Sequence, residues 1–111
     1  MFRVLEDGTI EMTRGDTVDL DITITYTDDE GETHEYDPSA GDIVTMTVKK
    51  STKTAEALIS KTGPHIIIEP EETEPLPYGK YVYDVQLTKE DGTVDTVITP
   101  TAFKILEEVT W

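Results

Sequence analysis

The stretch LPYGKYVYDVQLTKEDGTVDTVIT, residues 76–99, decides the fold. Within it, apolar and polar side chains alternate along residues 80–88 and again along residues 93–99, on either side of the polar segment 89–92. Alternation at a period of two predicts a strand, and a short polar loop that ends in Asp-Gly predicts a hairpin. One face of the first strand is therefore expected to be buried. That face carries Tyr81, Tyr83, Val85 and Leu87.

Alternation of this kind recurs along most of the chain. Its clearest example outside the hairpin is residues 17–27, which we expect to form one strand. The side chains expected to point inward from it are Val18, Leu20, Ile22, Ile24 and Tyr26. Shorter strands are predicted at residues 9–13, 32–36, 43–50, 58–59, 65–69 and 103–110. Their inward side chains are expected to include Ile10, Met12, Val44, Met46, Val48, Phe103 and Ile105.

Segments rich in turn-forming residues separate these strands. Residues 70–77 contain three prolines and three glutamates and are expected to form a loop. A bend is predicted at residues 100–102, and turns at residues 14–16, 28–31 and 62–64. Residues 55–58 fit either one helical turn or the approach to a strand, and no segment predicts a longer helix.

At 111 residues, the chain is expected to form a single domain over residues 1–111. About seven to nine short strands, spaced roughly every ten residues, are typical of an immunoglobulin-like antiparallel β-sandwich. A small β-barrel is the alternative. Leu76, Gly79 and Tyr81 have the spacing L-x-x-G-x-Y, which resembles the tyrosine corner of such sandwiches. There the ring is buried and the hydroxyl bonds to backbone a few residues upstream; the alternative is a tyrosine that is simply half-buried.

The charge balance excludes several classes of partner. Nine basic residues against 24 acidic ones give a net charge of −15, so nucleic acid and anionic membranes are expected to be repelled. Lys49, Lys50, Lys53 and Lys61 nevertheless lie close together, with Glu56 as the single acid among them. We expect either a solvated strand end and loop, or a contact with the acidic surface of a neighbouring copy.

The chain has no cysteine, so neither a disulfide nor thiolate chemistry is available to it. No run approaches the ~20 apolar residues of a membrane span, and the first ten residues lack the apolar core of a signal peptide. We therefore expect a soluble protein that is synthesised in the cytoplasm and carries no secretion signal.

Residue types that could carry catalysis are present, but not in a catalytic pattern. His34 and His65 are the only histidines, and a zinc site would need both together with suitably placed carboxylates. No serine lies in G-x-S-x-G or a similar nucleophile turn. The serines considered are Ser39, Ser51 and Ser60. We predict no catalytic residue, no metal and no cofactor.

Two acidic clusters are candidate calcium ligands, although neither matches the D-x-[DN]-x-[DN]-G pattern and solvated loops are the preferred interpretation. The clusters are Asp28, Asp29, Glu30 and Glu32, and Glu69, Glu71, Glu72 and Glu74. The segment Arg14-Gly15-Asp16 has the letters that integrins recognise, but an ordinary turn is expected there. Trp111, at the last position, is either a loose end or an anchor on a neighbouring subunit, since tryptophan is enriched at binding hot spots.

The order of several segments resembles a known family. The segments are IEMTRGDTVDLDITIT, YDPSAGDIVTMTVKKS, LISKT, LPYGKYVYDVQLTKEDGTVDTVI and FKILEEVT. Over about residues 9–110 they resemble small phage and prophage proteins of Gram-positive bacteria, similar to the immunoglobulin-like N-terminal domain of phage baseplate upper proteins. The resemblance implies a virion structural or tail-assembly module without cofactor or catalytic residues.

Two hypotheses follow. The first is a structural module whose partners are other tail or baseplate proteins or copies of itself, through a patch of about 800 Å² per partner. The second is a carbohydrate- or ligand-binding β-sandwich, assisted by calcium. A binding surface of this kind needs solvent-exposed aromatic rings. The first hypothesis is preferred, because few aromatic residues are expected on the surface. Those expected there are Phe2, Tyr36, Tyr78 and Trp111; those expected inside are Tyr26, Tyr81, Tyr83 and Phe103.

Overall fold

A computed structural model describes residues 2–36 and 41–107 of the chain. Most of these residues lie in β-strands, which confirms the mostly-β fold that the alternation predicts. The strands are β1 (Phe2–Val4), β2 (Ile10–Thr13), β3 (Val18–Asp21), β4 (Ile24–Thr27), β5 (Thr33–Tyr36), β6 (Ile43–Lys49), β7 (Ile59–Gly63), β8 (His65–Ile68), β9 (Gly79–Thr88) and β10 (Val94–Leu106). A short helix, α1 (Pro70–Thr73), lies between β8 and β9.

Six strands form a large sheet in the order β1-β2-β10-β9-β6-β7. The predicted hairpin is confirmed, because β9 pairs antiparallel with β10 on one side and with β6 on the other. β2 and β10, in contrast, run parallel, with Ile10 beside Phe103 and Met12 beside Ile105. The sheet is therefore mixed, and the prediction of a wholly antiparallel fold is wrong. The parallel register is favourable because it groups four apolar side chains on one buried face.

Two smaller sheets have two strands each, β3 with β8 and β4 with β5. The prediction of one strand over residues 17–27 is therefore wrong, because β3 and β4 belong to different sheets. β3 loses its partner at Asp21, which lies opposite His65, the first residue of β8. The N–H of Ile22 still donates to the carbonyl of Pro64 at 2.9 Å. Beyond that bond the chain pairs with β5 instead.

Gly63 and Pro64 form the corner between the large sheet and the β3–β8 sheet, at the position of a predicted turn. β7 ends at Gly63 and β8 begins at His65, so the change of sheet takes place over a single residue. A Cβ atom at Gly63 would lie 2.8 Å from Cδ1 of Ile66 and 3.0 Å from the backbone nitrogen of His65. The corner therefore needs a residue without a side chain.

One hydrophobic cluster joins the large sheet to the smaller ones. On the large sheet it includes the predicted inward face of β9, and we term this side of the sheet its inner face. The inward residues predicted for β2, β6 and β10 are buried there as well. The smaller sheets contribute Val18, Ile24, Ile66 and Ile68 to the same cluster. The core therefore lies against the inner face of the large sheet, and its opposite, outer face is left for contacts with solvent or partners.

α1 replaces part of the loop predicted over residues 70–77. Pro70 occupies the first turn, where its missing N–H costs nothing, and the Glu72 carboxylate accepts a bond from the N–H of Glu69 at 2.8 Å. Thr73 is fully buried, and its Oγ1 accepts a bond from the N–H of Gly15 at 2.9 Å. The helix therefore fastens the turn between β2 and β3, which the proline content does not predict.

β10 is one strand through residues 100–102, so the bend predicted there does not divide it into two strands. Its pairing with β9 shifts register between Thr96 and Ile98 and again between Ile98 and Thr101. Pro100 falls within the second shift, where a strand tolerates a residue that has no N–H to donate. β1 is a further difference, because three residues at a sheet edge are too short to give a readable alternation.

Candidate functional site

The outer face of the large sheet carries a concentration of lysines. Alternation along β9 directs Lys80 and Val82 to this face, away from the buried tyrosines. The strand register then sets their neighbours: Lys104 of β10 lies opposite Lys80, and Lys49 of β6 lies opposite Val82. These four side chains are half-buried or exposed.

The loop that follows β6 adds two exposed lysines, Lys50 and Lys53. Lys50 and Lys80 line the same groove, of about 350 Å³. Thr52 shares a shallow pocket of about 240 Å³ with Lys49. The fold thus gathers the three lysines predicted as an interface with two more from the hairpin. We term this set the lysine patch, which consists of Lys49, Lys50, Lys53, Lys80 and Lys104.

No lysine of the patch forms an ion pair with another residue in the part of the chain that the structure describes. Glu11 lies beside Lys104, with its carboxylate already bonded to Arg3 at 2.6 Å, and the charge of Lys104 also helps to lower the pKa of Asp7. Lys80 and Lys104 lie directly opposite each other, an arrangement that destabilises a sheet. The patch is therefore a mostly positive surface, with Glu56 in the groove that Lys50 and Lys80 line, in a chain whose net charge is −15.

The other described cations have partners. Lys61, which the sequence grouped with the interface lysines, instead bonds to Glu72 of α1 at 2.7 Å. Lys89 lies 3.9 Å from Asp95, and the guanidinium of Arg14 lies 4.4 Å from the centre of the Tyr78 ring. Among the described cations outside the patch, Arg3, Lys61 and Lys89 each lie within ion-pair distance of a carboxylate.

Sequence reasoning missed Lys80 and Lys104 because they are distant from each other along the chain. The available signal was their position next to Tyr81 and Phe103, which are both buried on the inner face. In a strand, the neighbour of an inward residue points outward. The register of the hairpin, which the sequence leaves open, then brings the two lysines together.

The turn between β4 and β5 is the most acidic segment of the described chain, and we term residues 28–32 the acidic turn. Asp28 organises it, because its Oδ1 accepts bonds from the N–H groups of Glu30 at 2.9 Å and Glu32 at 3.0 Å. Its Oδ2 lies 2.7 Å from Nε2 of His34. The bond to His34 and those from the backbone lower the pKa of Asp28, so its carboxylate stays charged.

Asp28, Glu32 and His34 bring one potential metal ligand each within 4.8 Å of one another. Three ligand atoms fall short of the six to eight oxygens that calcium takes, and Asp28 is already engaged in the turn. In the second predicted cluster, Glu72 is bonded to Lys61 and to the backbone of Glu69. Within the described residues that cluster forms no group of potential metal ligands.

An aromatic cluster lies on the β4–β5 sheet. Tyr26 is 50% exposed, so the prediction that it points into the core is wrong. Its ring stacks on His34 at 5.3 Å and meets the edge of Tyr36 at 6.5 Å, measured between ring centres. Tyr26 and Tyr36 line an open groove of about 440 Å³ together with Leu87 and Asp95. The walls of this groove are largely apolar side chains.

Tyr81 has the geometry that the L-x-x-G-x-Y spacing predicts. Its ring is buried, and its hydroxyl donates to the carbonyl of Pro77 at 2.6 Å. Burial raises the pKa of this hydroxyl, which keeps it a donor. Gly79 has a φ of 143°, a value that L-residues rarely adopt, and Leu76 packs against the core beside it.

The described histidines are engaged by acids and make no bond to a serine. Nε2 of His65 lies 2.6 Å from Oδ1 of Asp19, and His34 is held by Asp28. Ser51, one of the serines considered as a nucleophile, forms a hydrogen bond with Thr54 at 3.0 Å instead. Ser39 lies outside the described residues.

The Arg-Gly-Asp segment forms a turn, as expected. The N–H of Asp16 donates to the carbonyl of Thr13 at 3.1 Å, and Gly15 has a φ of 82°. Trp111, predicted as a loose end or an anchor, lies outside the described residues. Over residues 2–36 and 41–107, no helix has the length and apolar character needed to cross a bilayer.

A scan against protein-family models, a search of curated proteins and a search of solved structures each found no match to this chain. The resemblance to phage baseplate proteins therefore stays a prediction that rests on the quoted segments.

Proposed function

We propose that this chain is a non-enzymatic structural module of a phage or prophage particle, which takes part in tail or baseplate assembly by protein–protein contact. It folds as an immunoglobulin-like β-sandwich, with the large sheet as one layer and the smaller sheets as the other. The shared hydrophobic cluster and the bond from Tyr81 to Pro77 support this fold. The segments that resemble baseplate upper proteins support the setting.

The lysine patch is the observation that carries the proposed mode of action. Lysines that form no ion pair among the described residues suit a partner with the opposite charge, because complementary surfaces guide association and fix its orientation. The overall charge of −15 makes nucleic acid and anionic membranes poor partners for the same patch. Proteins with an acidic surface, either other tail or baseplate proteins or further copies of this chain, fit it best.

The test is direct binding between purified proteins. The chain is immobilised and exposed in turn to each tail or baseplate protein encoded beside its gene, in about 150 mM salt. We expect at least one to bind, and Lys80→Glu with Lys104→Glu to weaken that binding. The matched control, Lys61→Glu with Lys89→Glu, makes the same change in charge away from the patch and should retain it. Binding to none of these proteins would contradict the proposal.

One observation favours the second candidate function, a carbohydrate-binding β-sandwich. The exposed ring of Tyr26 joins Tyr36 beside an open groove, which gives this surface an aromatic pair that the sequence did not predict. Aromatic faces combined with a few polar groups are typical of ligand sites. A glycan array, with and without calcium, tests it. Binding that Tyr26→Ala abolishes and Tyr78→Ala retains would support this function, and an array without signal would remove it.

A further inference from the structure

The lysine patch and the acidic turn lie far apart in one molecule. Tyr26, two residues before the turn, lines a groove with Leu87 at one end of β9. Lys80 lies at the other end of the same strand, about 23 Å away at roughly 3.3 Å per residue. This exceeds the range of a screened interaction, which is about 8 Å at physiological salt. The two charged surfaces therefore cannot satisfy each other within one copy.

The two surfaces are opposite in charge and differ in form. The patch lies on the face of a sheet, whereas the acidic turn is the exposed tip of a hairpin with no strand partner outside β4 and β5 among the described residues. Four carboxylates are clustered in the turn, and the bonds around Asp28 hold it in shape. Its members are Asp28, Asp29, Glu30 and Glu32. A preformed acidic tip can therefore contact several lysines without a large ordering cost.

We infer that the lysine patch of one copy binds the acidic turn of a second copy, so that the chains associate head to tail. This inference rests on the proposed function and names the partner of its contact surface. A contact between two different surfaces leaves one patch and one turn free on every pair. Such association continues into a ring if the rotation between copies closes, and into an open fibre if it does not.

A second copy suits the patch better than other anions. Contact between the turn and the patch is local, and moderate salt screens the repulsion between the remaining charges of the two copies. A long polyanion would instead meet the net charge of −15 along its whole length. We therefore expect association to be weak in very low salt, strongest near about 150 mM and weak again at about 1 M.

The test is sedimentation velocity over a concentration series that reaches about 0.5 mM. Wild-type protein should associate as its concentration rises. Lys80→Glu with Lys104→Glu, and separately Asp29→Lys with Glu30→Lys, should each weaken self-association about tenfold or more. All four positions are exposed or half-buried, and circular dichroism confirms that each variant is folded. Lys61→Glu with Lys89→Glu is the matched control and should associate like the wild type.

Mixing the two variants gives the decisive outcome. The reversed patch faces the reversed turn, and the native turn of the patch variant faces the native patch of the turn variant, so an equimolar mixture should associate more strongly than either variant alone. A monomeric wild type, or association that the patch variant does not change, would overturn the inference. If tail proteins still bind in that case, the proposed function survives and only the partner is wrong. If both kinds of binding are lost, the proposed function fails as well.

Discussion

β9 and residues 18–27 show equally clear alternation, yet they have different structures. β9 is one strand, and its inward tyrosines Tyr81 and Tyr83 are 6% and 4% exposed. Residues 18–27 are divided between two sheets, and their inward positions range from Val18, which is fully buried, to Tyr26, which is 50% exposed.

The difference between β9 and residues 18–27 follows from the limited information that alternation carries. Alternation gives the direction of each side chain, because successive residues of any strand point to opposite sides. It does not give depth, which depends on the partners that the strand finds. β9 has a strand on both sides, whereas among the described residues β4 pairs with β5 alone.

The largest expected effect separates two tyrosines that the sequence treats as equivalent. Tyr83→Ala removes a buried ring that meets Phe103 edge-on at 6.3 Å and whose hydroxyl donates to Gly8. We expect it to lower the free energy of unfolding by about 3–5 kcal/mol. Tyr26→Ala, the matched control, should cost less than about 1 kcal/mol, because its ring is half exposed. Urea unfolding measures both, and equal losses would show that β4 is as deeply packed as β9.

The second prediction concerns the corner that sends the chain into the β3–β8 sheet. Gly63→Ala places a methyl group 2.8 Å from Cδ1 of Ile66 and close to backbone. Overpacking of this kind costs about 1–3 kcal/mol. Thr62→Ala, an exposed neighbour, is the control and should change stability by less than about 0.5 kcal/mol. Thermal unfolding measures the stability of both variants. If Gly63→Ala is as stable as the wild type, the two sheets can move apart at this corner at little cost in free energy.

The third prediction isolates a single hydroxyl. Tyr81→Phe keeps the buried ring but loses the bond to Pro77 and leaves that carbonyl without this donor. We expect a loss of about 0.5–1.5 kcal/mol. Tyr26→Phe is the matched control, and it should be close to neutral because its ring faces solvent. A neutral Tyr81→Phe would remove the hydroxyl bond as a support for the immunoglobulin-like fold.

Much of the large sheet could be predicted from the sequence, because alternation along its strands indicates which side chains are buried. The inward side chains predicted for β2, β6, β9 and β10 are buried, although in β10 this holds at Phe103 and Ile105 and not along the first half of the strand. What could not be read depends on pairing between distant segments. The parallel register of β2 with β10, and the end of β3 opposite His65, follow from which strands meet. Alternation along one segment carries no information on this.

The candidate site follows the same division. Local clustering of charge was enough to single out Lys49, Lys50 and Lys53. Lys80 and Lys104 lie beside them only because of the register of the β9–β10 hairpin. Lys61 is not part of the patch because it forms an ion pair with Glu72 of α1. The exposed position of Tyr26 depends on the separation of β4 from the large sheet, so the aromatic groove could not be predicted either.

The smallest expected effect lies where β3 and β8 meet, at the exposed pair His65 and Asp19. The hydrogen bond that Asp19 accepts from the His65 ring, together with the charges of Asp19 and Asp21, raises the pKa of His65. The folded state therefore binds this proton more tightly than the unfolded one, so the pair stabilises the fold fully below about pH 6.5. That contribution is lost as the pH rises through the raised pKa. An NMR titration of the ring should show Asp19→Asn lowering the pKa of His65, while Asp29→Asn, which removes the same charge elsewhere, leaves it unchanged. If the two variants shift the pKa of His65 equally, the His65–Asp19 pair does not stabilise the β3–β8 sheet. That sheet is then held by its backbone hydrogen bonds and buried isoleucines alone.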